Sequence, residues 1–356
     1  MFISPSNFWE SKEPNHFEPK DRGSRGLPDF SNGGIIVFYH VYKTGGSTVG
    51  KLLHELARDD QSKHELPGGK PLLSFADSMK SSARLFFTMI RKRVDWKKDC
   101  MATLDLAEQK KLILLELHVE YPTSDFPTLV ELVPILDRWR REAGKRGVGF
   151  FAFTLLREPV AHALSFFNFF HVGSKTDQPV PTPEDHDYWN PFRPLQSTQA
   201  NFLHSYYAKN RQCQMLTSDP QSTKGAPLDI VWDQTQRSKA DITQLNSPCR
   251  VDKVYDAYFN SLDWVGTTEN LQNETLPLLT KIVSDDPSIG RYRVPFKVFN
   301  NNPTGSVGMK KSDLSKKSLA TILERTELDR TLYADVTRNF RLKDLGWDYK
   351  SPLDGK

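Results

Sequence analysis

The chain has 356 residues, of which 38% are hydrophobic and 26% are charged, and its formal net charge is +4. These values lie in the range of soluble globular proteins and allow a sizeable core, built as one large α/β domain or as one domain with additions. The small net charge, without a basic stripe, argues against a nucleic-acid partner, and no apolar run approaches the ~20 residues of a membrane span.

The chain begins with a polar segment. Residues 1–32 carry several prolines and no signal-peptide pattern, which predicts an extended N-terminal arm. We expect a single domain over 33–345, with an insertion near 173–250, and a C-terminal tail over 346–356.

The most informative segment is a predicted strand, turn and helix that follow the arm. The run from Ile35 to Tyr39 is rich in β-branched and aromatic residues, as in a buried parallel strand. The turn offers glycines, hydroxyls and a lysine, and a helix N-terminus adds N–H donors and a positive dipole. This combination predicts an anion-binding loop made of Lys43, Thr44, Gly45, Gly46, Ser47 and Thr48.

The same segment nearly matches the phosphate loop of nucleotide-dependent kinases. Gly45 to Lys51 fits G-x-x-x-x-G-K, but Leu52 follows where a Ser or Thr would hold Mg²⁺. Gly50 and Lys51 are also predicted to lie inside the helix, a full turn past its start, where the lysine cannot fold back over phosphates. An ATP-dependent kinase is therefore the alternative interpretation.

The next elements are a strand near Leu85–Ile90, a charged segment, a third strand that ends in His118, and a helix around 129–143. A histidine at the carboxyl end of a strand lies at the mouth of the sheet, and its ordinary pKa suits general base work. We therefore expect His118 to be the general base. Glu120, two residues further on, is an alternative.

A second strand and helix unit predicts another anion contact. The buried strand Phe150–Leu156 ends at Arg157, and Pro159 suits the first turn of a helix. Arg157 lies at the carboxyl end of its strand, where open α/β sheets bind ligands. Ser165 lies two helical turns later, so that its hydroxyl and the guanidinium can clamp one phosphate.

The C-terminal half is less regular. Residues 173–195 are interpreted as an acceptor-binding insertion, with a surface loop as the alternative. We predict a helix near 197–209, irregular chain to about residue 250, and two helices within 313–340. The basic loop 299–311 is typical of a mobile loop with exposed donors, and its Lys310 and Lys311 suit anions; a solvated linker is the alternative.

The remaining histidines and the cysteines give weaker signals. His40 is expected to be structural and His162 to lie on the surface. Cys213 and Cys249 bracket an irregular segment and could bridge it, with Cys100 left over. No convincing metal cluster is present.

The two anion motifs resemble the signatures of the Golgi-type carbohydrate sulfotransferases. The segment from His40 to Thr48 is similar to their H-x-P-K-T-G-G-T-T loop, with Tyr42 in place of proline. The segment from Arg157 to Ser165 is similar to their R-D/E-P motif, which has a serine eight positions after the arginine. The resemblance is to the heparan sulfate 2-O-sulfotransferase-like branch.

This resemblance implies a P-loop-like α/β fold, with a central parallel sheet flanked by helices. It implies that the first loop binds the 5′-phosphosulfate of the sulfuryl donor, 3′-phosphoadenosine 5′-phosphosulfate, and that Arg157 and Ser165 bind its 3′-phosphate. Lys43 would stabilise charge on the leaving oxygen without a metal. The resemblance also implies a late core strand within 262–268, closure of the basic loop over the nucleotide, and Glu65 as a further alternative for the base. The acceptor would be a glycan hydroxyl and the compartment the Golgi lumen. A catalytically inactive nucleotide- or glycan-binding module is a further alternative, and the oligomeric state is left open.

Overall fold

One parallel sheet organises the computed structural model of the chain. The structure describes residues 26–50, 52, 85–90, 94–118, 128–170, 172, 197–205, 210–217, 249–284, 308–341 and 345. Within these residues the five strands are β1 Gly34–His40, β2 Leu85–Ile90, β3 Leu112–His118, β4 Gly149–Leu156 and β5 Trp264–Thr267. They pair in the order β2-β3-β1-β4-β5, and every pair is parallel.

Helices fill the connections between the strands and follow the last one. They are α1 over 46–50, α2 Met101–Ala107, α3 Leu129–Lys145, α4 Pro159–Phe170, α5 Gln199–Ser205, α6 Arg211–Thr217, α7 Val251–Asp256, α8 Leu276–Ser284, α9 Lys316–Arg325 and α10 Glu327–Asn339. Short π-helical segments adjoin three of them, at Trp96–Cys100, Ala257–Ser261 and Leu271–Thr275. The α/β class expected from the sequence is confirmed.

The strands form because their sequences are continuously apolar. Every residue of β1 and of β4 is buried, which is the pattern of parallel strands whose two faces are both covered. Local signals set some helix boundaries as well. Thr128 and Glu131 form a reciprocal capping box at the start of α3, where the Thr128 backbone N–H donates to Glu131 Oε2 at 2.7 Å.

The strand at Leu85–Ile90, the helix near 129–143 and the two C-terminal helices are confirmed as predicted. The prediction of irregular chain after residue 209 is wrong, because that segment contains α6. The charged segment before β3 contains α2, which the sequence did not predict and whose Leu104, Leu106 and Ala107 are buried. Both helices have only seven residues, so that their periodicity is too short to recognise in sequence.

The topology places two loops together at the carboxyl edge of the sheet. β1 lies between β3 and β4. After β1 the chain continues to β2 on the β3 side of the sheet, and after β4 it continues to β5 on the opposite side. The carboxyl ends of β1 and β4 therefore flank a topological switch point, which is the place where open α/β sheets bind ligands. Lys43 and Arg157 follow these two ends.

The structure joins Cys213 to Cys249 by a disulfide, with 5.5 Å between their Cα atoms, and leaves Cys100 as a buried free thiol. The suggested bridge is thus present, and it ties α6 to the start of α7. In the described residues the structure contains no helix with the length and hydropathy of a membrane span.

Removal of this disulfide should destabilise the protein strongly. Because the bridge closes a loop of 36 residues, the chain-entropy model predicts that Cys213→Ser with Cys249→Ser lowers the free energy of unfolding by about 4 kcal/mol. Urea unfolding monitored by tryptophan fluorescence measures this difference. Reduction of the wild type should reproduce the shift, and an unchanged midpoint in both experiments would contradict the prediction.

Candidate functional site

The anion loop predicted after β1 is short and tightly closed. Lys43 and Gly45 have positive φ angles of 63° and 95°. Thr44 Oγ1 donates to the Val41 carbonyl at 2.8 Å, and the Thr48 N–H donates to the Gly45 carbonyl at 2.9 Å. Helix α1 begins at residue 46, so that the loop proper ends at Gly45, earlier than expected. The last three predicted loop residues, Gly46, Ser47 and Thr48, form the first turn of the helix.

Arg157 reaches this loop from the neighbouring strand. Its Nη1 atom donates to the Lys43 carbonyl at 3.1 Å, so that the two predicted anion motifs meet at one place. The Nε atom of Arg157 is buried without a hydrogen-bond partner. Burial lowers the pKa of the guanidinium, and the nearby charges of Glu269 and Glu158 oppose this shift.

Lys43 lies beside Arg157 and is also largely desolvated. Its Nζ atom lies 3.5 Å from the centroid of the Phe169 ring, a cation–π contact at the outer side of the site. Burial, with a smaller contribution from the Arg157 charge, lowers the pKa of Lys43 to about 8. In the described part of the chain the structure records no salt bridge for Lys43 or Arg157. Two neighbouring, partly desolvated cations, which Glu269 and Glu158 compensate only in part at Arg157, favour the binding of an anion.

This pKa makes anion binding depend on pH. Lys43 is charged below about pH 8 and neutral above it, so that affinity for a phosphate ligand should fall by roughly tenfold between pH 7 and pH 9. Phosphate groups, whose second pKa is about 6, are already mostly ionised at pH 7, and their remaining ionisation opposes the decline only slightly. Calorimetric titration with 3′-phosphoadenosine 5′-phosphate at a series of pH values tests this. Lys43→Arg, which stays charged, should abolish the decline; the same decline in both proteins would assign it to another group.

A buried contact between His40 and Glu116 supports the loop. His40 Nδ1 lies 2.6 Å from Glu116 Oε1, and both side chains are almost fully buried. A Cβ atom at residue 46 would overlap the ring atoms of His40, so that only glycine allows the imidazole to lie against the start of α1. The second carboxylate oxygen, Glu116 Oε2, is buried without a hydrogen-bond partner and faces Gly50, where an added Cβ would lie 2.9 Å away. His40 is thus structural, as expected.

Two further side chains hold the loop carbonyls. His162 Nε2 lies 2.9 Å from the Tyr42 carbonyl, and Thr268 Oγ1 donates to the Thr44 carbonyl at 2.7 Å. The prediction that His162 lies on the surface is wrong, because α4 buries the whole ring against the loop. Burial lowers the pKa of His162 to about 3, so that the ring is neutral and donates its Nε2 proton to the carbonyl.

The other predicted site residues are placed less closely. Ser165 lies half-exposed on α4, two turns after Arg157. His118 is the last residue of β3 and pairs in register with His40. Glu120 and Glu65 lie outside the described residues. So does most of the acceptor-binding insertion and of the basic loop, whose last residues, Lys310 and Lys311, are exposed.

Sequence reasoning missed three residues at the site. Glu116 carries a signal, because it is a charged residue in the middle of an otherwise apolar strand. Phe169 and Gln212 carry none. Phe169 is 43% exposed at the mouth of the site, and Gln212 contacts Arg157 from a helix that the sequence did not predict.

A separate open cleft of about 620 Å³ lies at the amino end of β4. It contains none of the predicted site residues. Of its two arginines, Arg140 donates to the Ser261 carbonyl at 2.7 Å and to Asp263 at 2.8 Å, and Arg141 is exposed. Among the residues that the structure describes, no group of three or more His, Cys, Asp or Glu side chains could hold a metal ion.

Comparison with models of known protein families finds no match. No curated protein matches the chain either.

Proposed function

We propose that the protein is a sulfotransferase that moves a sulfuryl group from 3′-phosphoadenosine 5′-phosphosulfate to a hydroxyl of a glycan. The observation that carries the proposal is the meeting of Lys43 and Arg157 at the switch point of the sheet. The two residues come from motifs 114 positions apart, and the Arg157 guanidinium donates to the Lys43 carbonyl. This is the arrangement that a ligand with two separate anionic groups requires.

The electrostatics of the site favour a multiply charged ligand. Desolvation of the two cations costs free energy that Glu269 and Glu158 offset only in part at Arg157, and a bound anion recovers more of it as charge-assisted hydrogen bonds. In the proposed complex the loop that ends at Gly45 holds the phosphosulfate, with Lys43 as its cation. Arg157 and the half-exposed hydroxyl of Ser165 hold the 3′-phosphate. The buried Nε–H of Arg157 is a donor still available for this contact.

The finer fold assignment is part of the same proposal. We assign the sheet to a P-loop-like sulfotransferase fold because both anion motifs follow neighbouring parallel strands at the switch point. The kinase alternative is disfavoured by the position of Gly50, which is the fifth helical residue of α1 and faces Glu116 instead of the loop. A kinase phosphate loop would need that glycine before the helix.

The donor supplies the activated sulfuryl group, and the chain has to position it and remove one proton. Protonated Lys43 stabilises the charge that develops on the leaving phosphate. His118, at the carboxyl end of β3, is the proposed base for the acceptor hydroxyl, with Glu120 and Glu65 as alternatives. The Cys213–Cys249 disulfide supports an oxidising compartment such as the Golgi lumen, since stable disulfides are rare in the cytosol.

Calorimetric titration with 3′-phosphoadenosine 5′-phosphate, with ATP–Mg²⁺ in parallel, tests the donor site. Lys43→Ala and Arg157→Ala should both weaken bisphosphate binding, and the exposed Lys110→Ala should not. Lys110 is a matched control because it also has a positive φ angle, of 59° against 63° for Lys43. Binding of ATP–Mg²⁺ without the bisphosphate would overturn the proposal in favour of a kinase, and bisphosphate binding without transfer to any glycan would favour an inactive module.

A further inference from the structure

The main chain at Arg157 is clamped by a single side chain. The Arg157 N–H donates to Gln212 Oε1 at 3.0 Å, and Gln212 Nε2 donates to the Arg157 carbonyl at 2.9 Å. The amide thus satisfies both polar groups of one residue, as a neighbouring strand would. Arg157 lies immediately beyond the last residue of β4, and only 2% of Gln212 is exposed.

Gln212 is itself held rigidly. Its N–H donates to Asp329 Oδ2 at 3.1 Å, and the Cys213 N–H donates to Asp329 Oδ1 at 2.8 Å. In return, Asn210 Oδ1 accepts the N–H of Leu328 at 2.9 Å and that of Asp329 at 3.3 Å. The first turns of α6 and α10 therefore cap each other, and the disulfide from Cys213 adds a covalent tie.

This chain of contacts ends at the guanidinium that forms the anion site. The side chain of Arg157 is long, and its guanidinium has one hydrogen bond, from Nη1 to the Lys43 carbonyl, while its Nε has no partner. Its direction therefore also depends on where the backbone holds the Cα atom. Without the clamp, the segment would have to become ordered when a ligand binds, and that ordering lowers affinity.

We propose that Gln212 is a positioning residue, which fixes the backbone of Arg157 so that the guanidinium is presented to the ligand's 3′-phosphate. The inference rests on the proposed function, because that function gives Arg157 its anion. It goes further by assigning specificity for a 3′-phosphorylated nucleotide to a residue on a helix that belongs to neither anion motif.

The test compares two ligands, 3′-phosphoadenosine 5′-phosphate and adenosine 5′-phosphate, which differ by the 3′-phosphate alone. Gln212→Met keeps the length of the side chain and removes both hydrogen bonds. The substitution should lower the affinity for the bisphosphate by roughly tenfold and that for the monophosphate by less than about twofold. When Gln212→Met is combined with Arg157→Ala, it should cause no further loss of affinity for either ligand, because the side chain that Gln212 positions is then absent.

A purely structural role predicts a different pattern. Gln212→Met would then lower the affinity for both ligands equally, or its loss of affinity would add in full to that of Arg157→Ala. Either result overturns the inference. If Gln212→Met does not fold, Gln212→Asn keeps the amide, shortens it by one methylene and serves in the same comparison. Melting temperatures of all variants separate lost stability from lost affinity.

Failure of the proposed function gives its own result. A wild type that binds neither nucleotide overturns the donor assignment while the clamp stays testable with inorganic pyrophosphate. Pyrophosphate binding that Arg157→Ala and Gln212→Met weaken to the same degree, and not additively, supports the positioning role. Pyrophosphate binding unaffected by Gln212→Met, or no pyrophosphate binding at all, overturns it.

Discussion

Lys43→Ala is expected to lower the turnover number by at least about 100-fold, the usual cost of removing one group that stabilises developing charge in a desolvated site. Lys43 is the cation at the head of the loop, and burial beside Arg157 already lowers its pKa to about 8. A charge in such a place interacts more strongly with a leaving phosphate than a solvated lysine would. Transfer of radiolabelled sulfate to a glycan acceptor measures the loss.

The distribution of the effect between kinetic parameters identifies the role of Lys43. An interaction that strengthens as the bond to the leaving oxygen breaks lowers the turnover number more than it raises the Michaelis constant of the donor. Lys110→Ala removes a lysine of similar backbone geometry at an exposed turn and should leave both parameters unchanged. A Lys43→Ala enzyme with a normal turnover number and only weaker donor binding would show that Lys43 binds the donor without assisting the reaction.

The sheet could be predicted from the sequence because its strands are local patterns. Each of the four strands β1, β2, β3 and β4 is an apolar run that can be recognised within a window of about ten residues. The two anion motifs are also local, since Lys43 and Arg157 each follow directly on a strand. The sequence placed each motif after a strand, and the pairing of β1 with β4 shows that these two strand ends are neighbours.

The supports of the site could not be predicted, because they join distant segments. Gln212 contacts Arg157 across 55 positions and Asp329 across 117, and no local pattern records such a pair. The error at His162 has another cause. Its neighbours on α4 are almost all apolar, which indicates a buried helix. The prediction of a surface position rested only on the residue type, since histidine is often partly exposed.

Gly46→Ala is expected to destabilise the protein by about 3 kcal/mol, at the upper end of what an added methyl group costs in a packed interior. The new Cβ would overlap the imidazole of His40. That ring cannot retreat easily, because it stacks on Phe38 with 5.3 Å between ring centroids and is held by Glu116 at 2.6 Å. Displacing it would leave a buried carboxylate without its partner. Urea unfolding gives the free energy directly.

Gly144→Ala is the matched control for this substitution. Gly144 is helical, and nothing lies within 4 Å of an added Cβ, so that the change should be neutral or slightly stabilising. A double-mutant cycle locates the cause of the effect: in a His40→Ala background, Gly46→Ala should cost less than about 1 kcal/mol. A cost that is the same with and without the imidazole would place the clash elsewhere.

Glycine is therefore required at residues 45 and 46 for two different physical reasons. Gly45 adopts a φ angle of 95°, which other residues rarely tolerate, so that its role is the turn itself. Gly46 lies at the start of α1 with its open side against His40, so that its role is to admit a ring. Gly46 is therefore the point where the buried pair of His40 and Glu116 is coupled to the anion loop, and Gly46→Ala should weaken bisphosphate binding as well as folding.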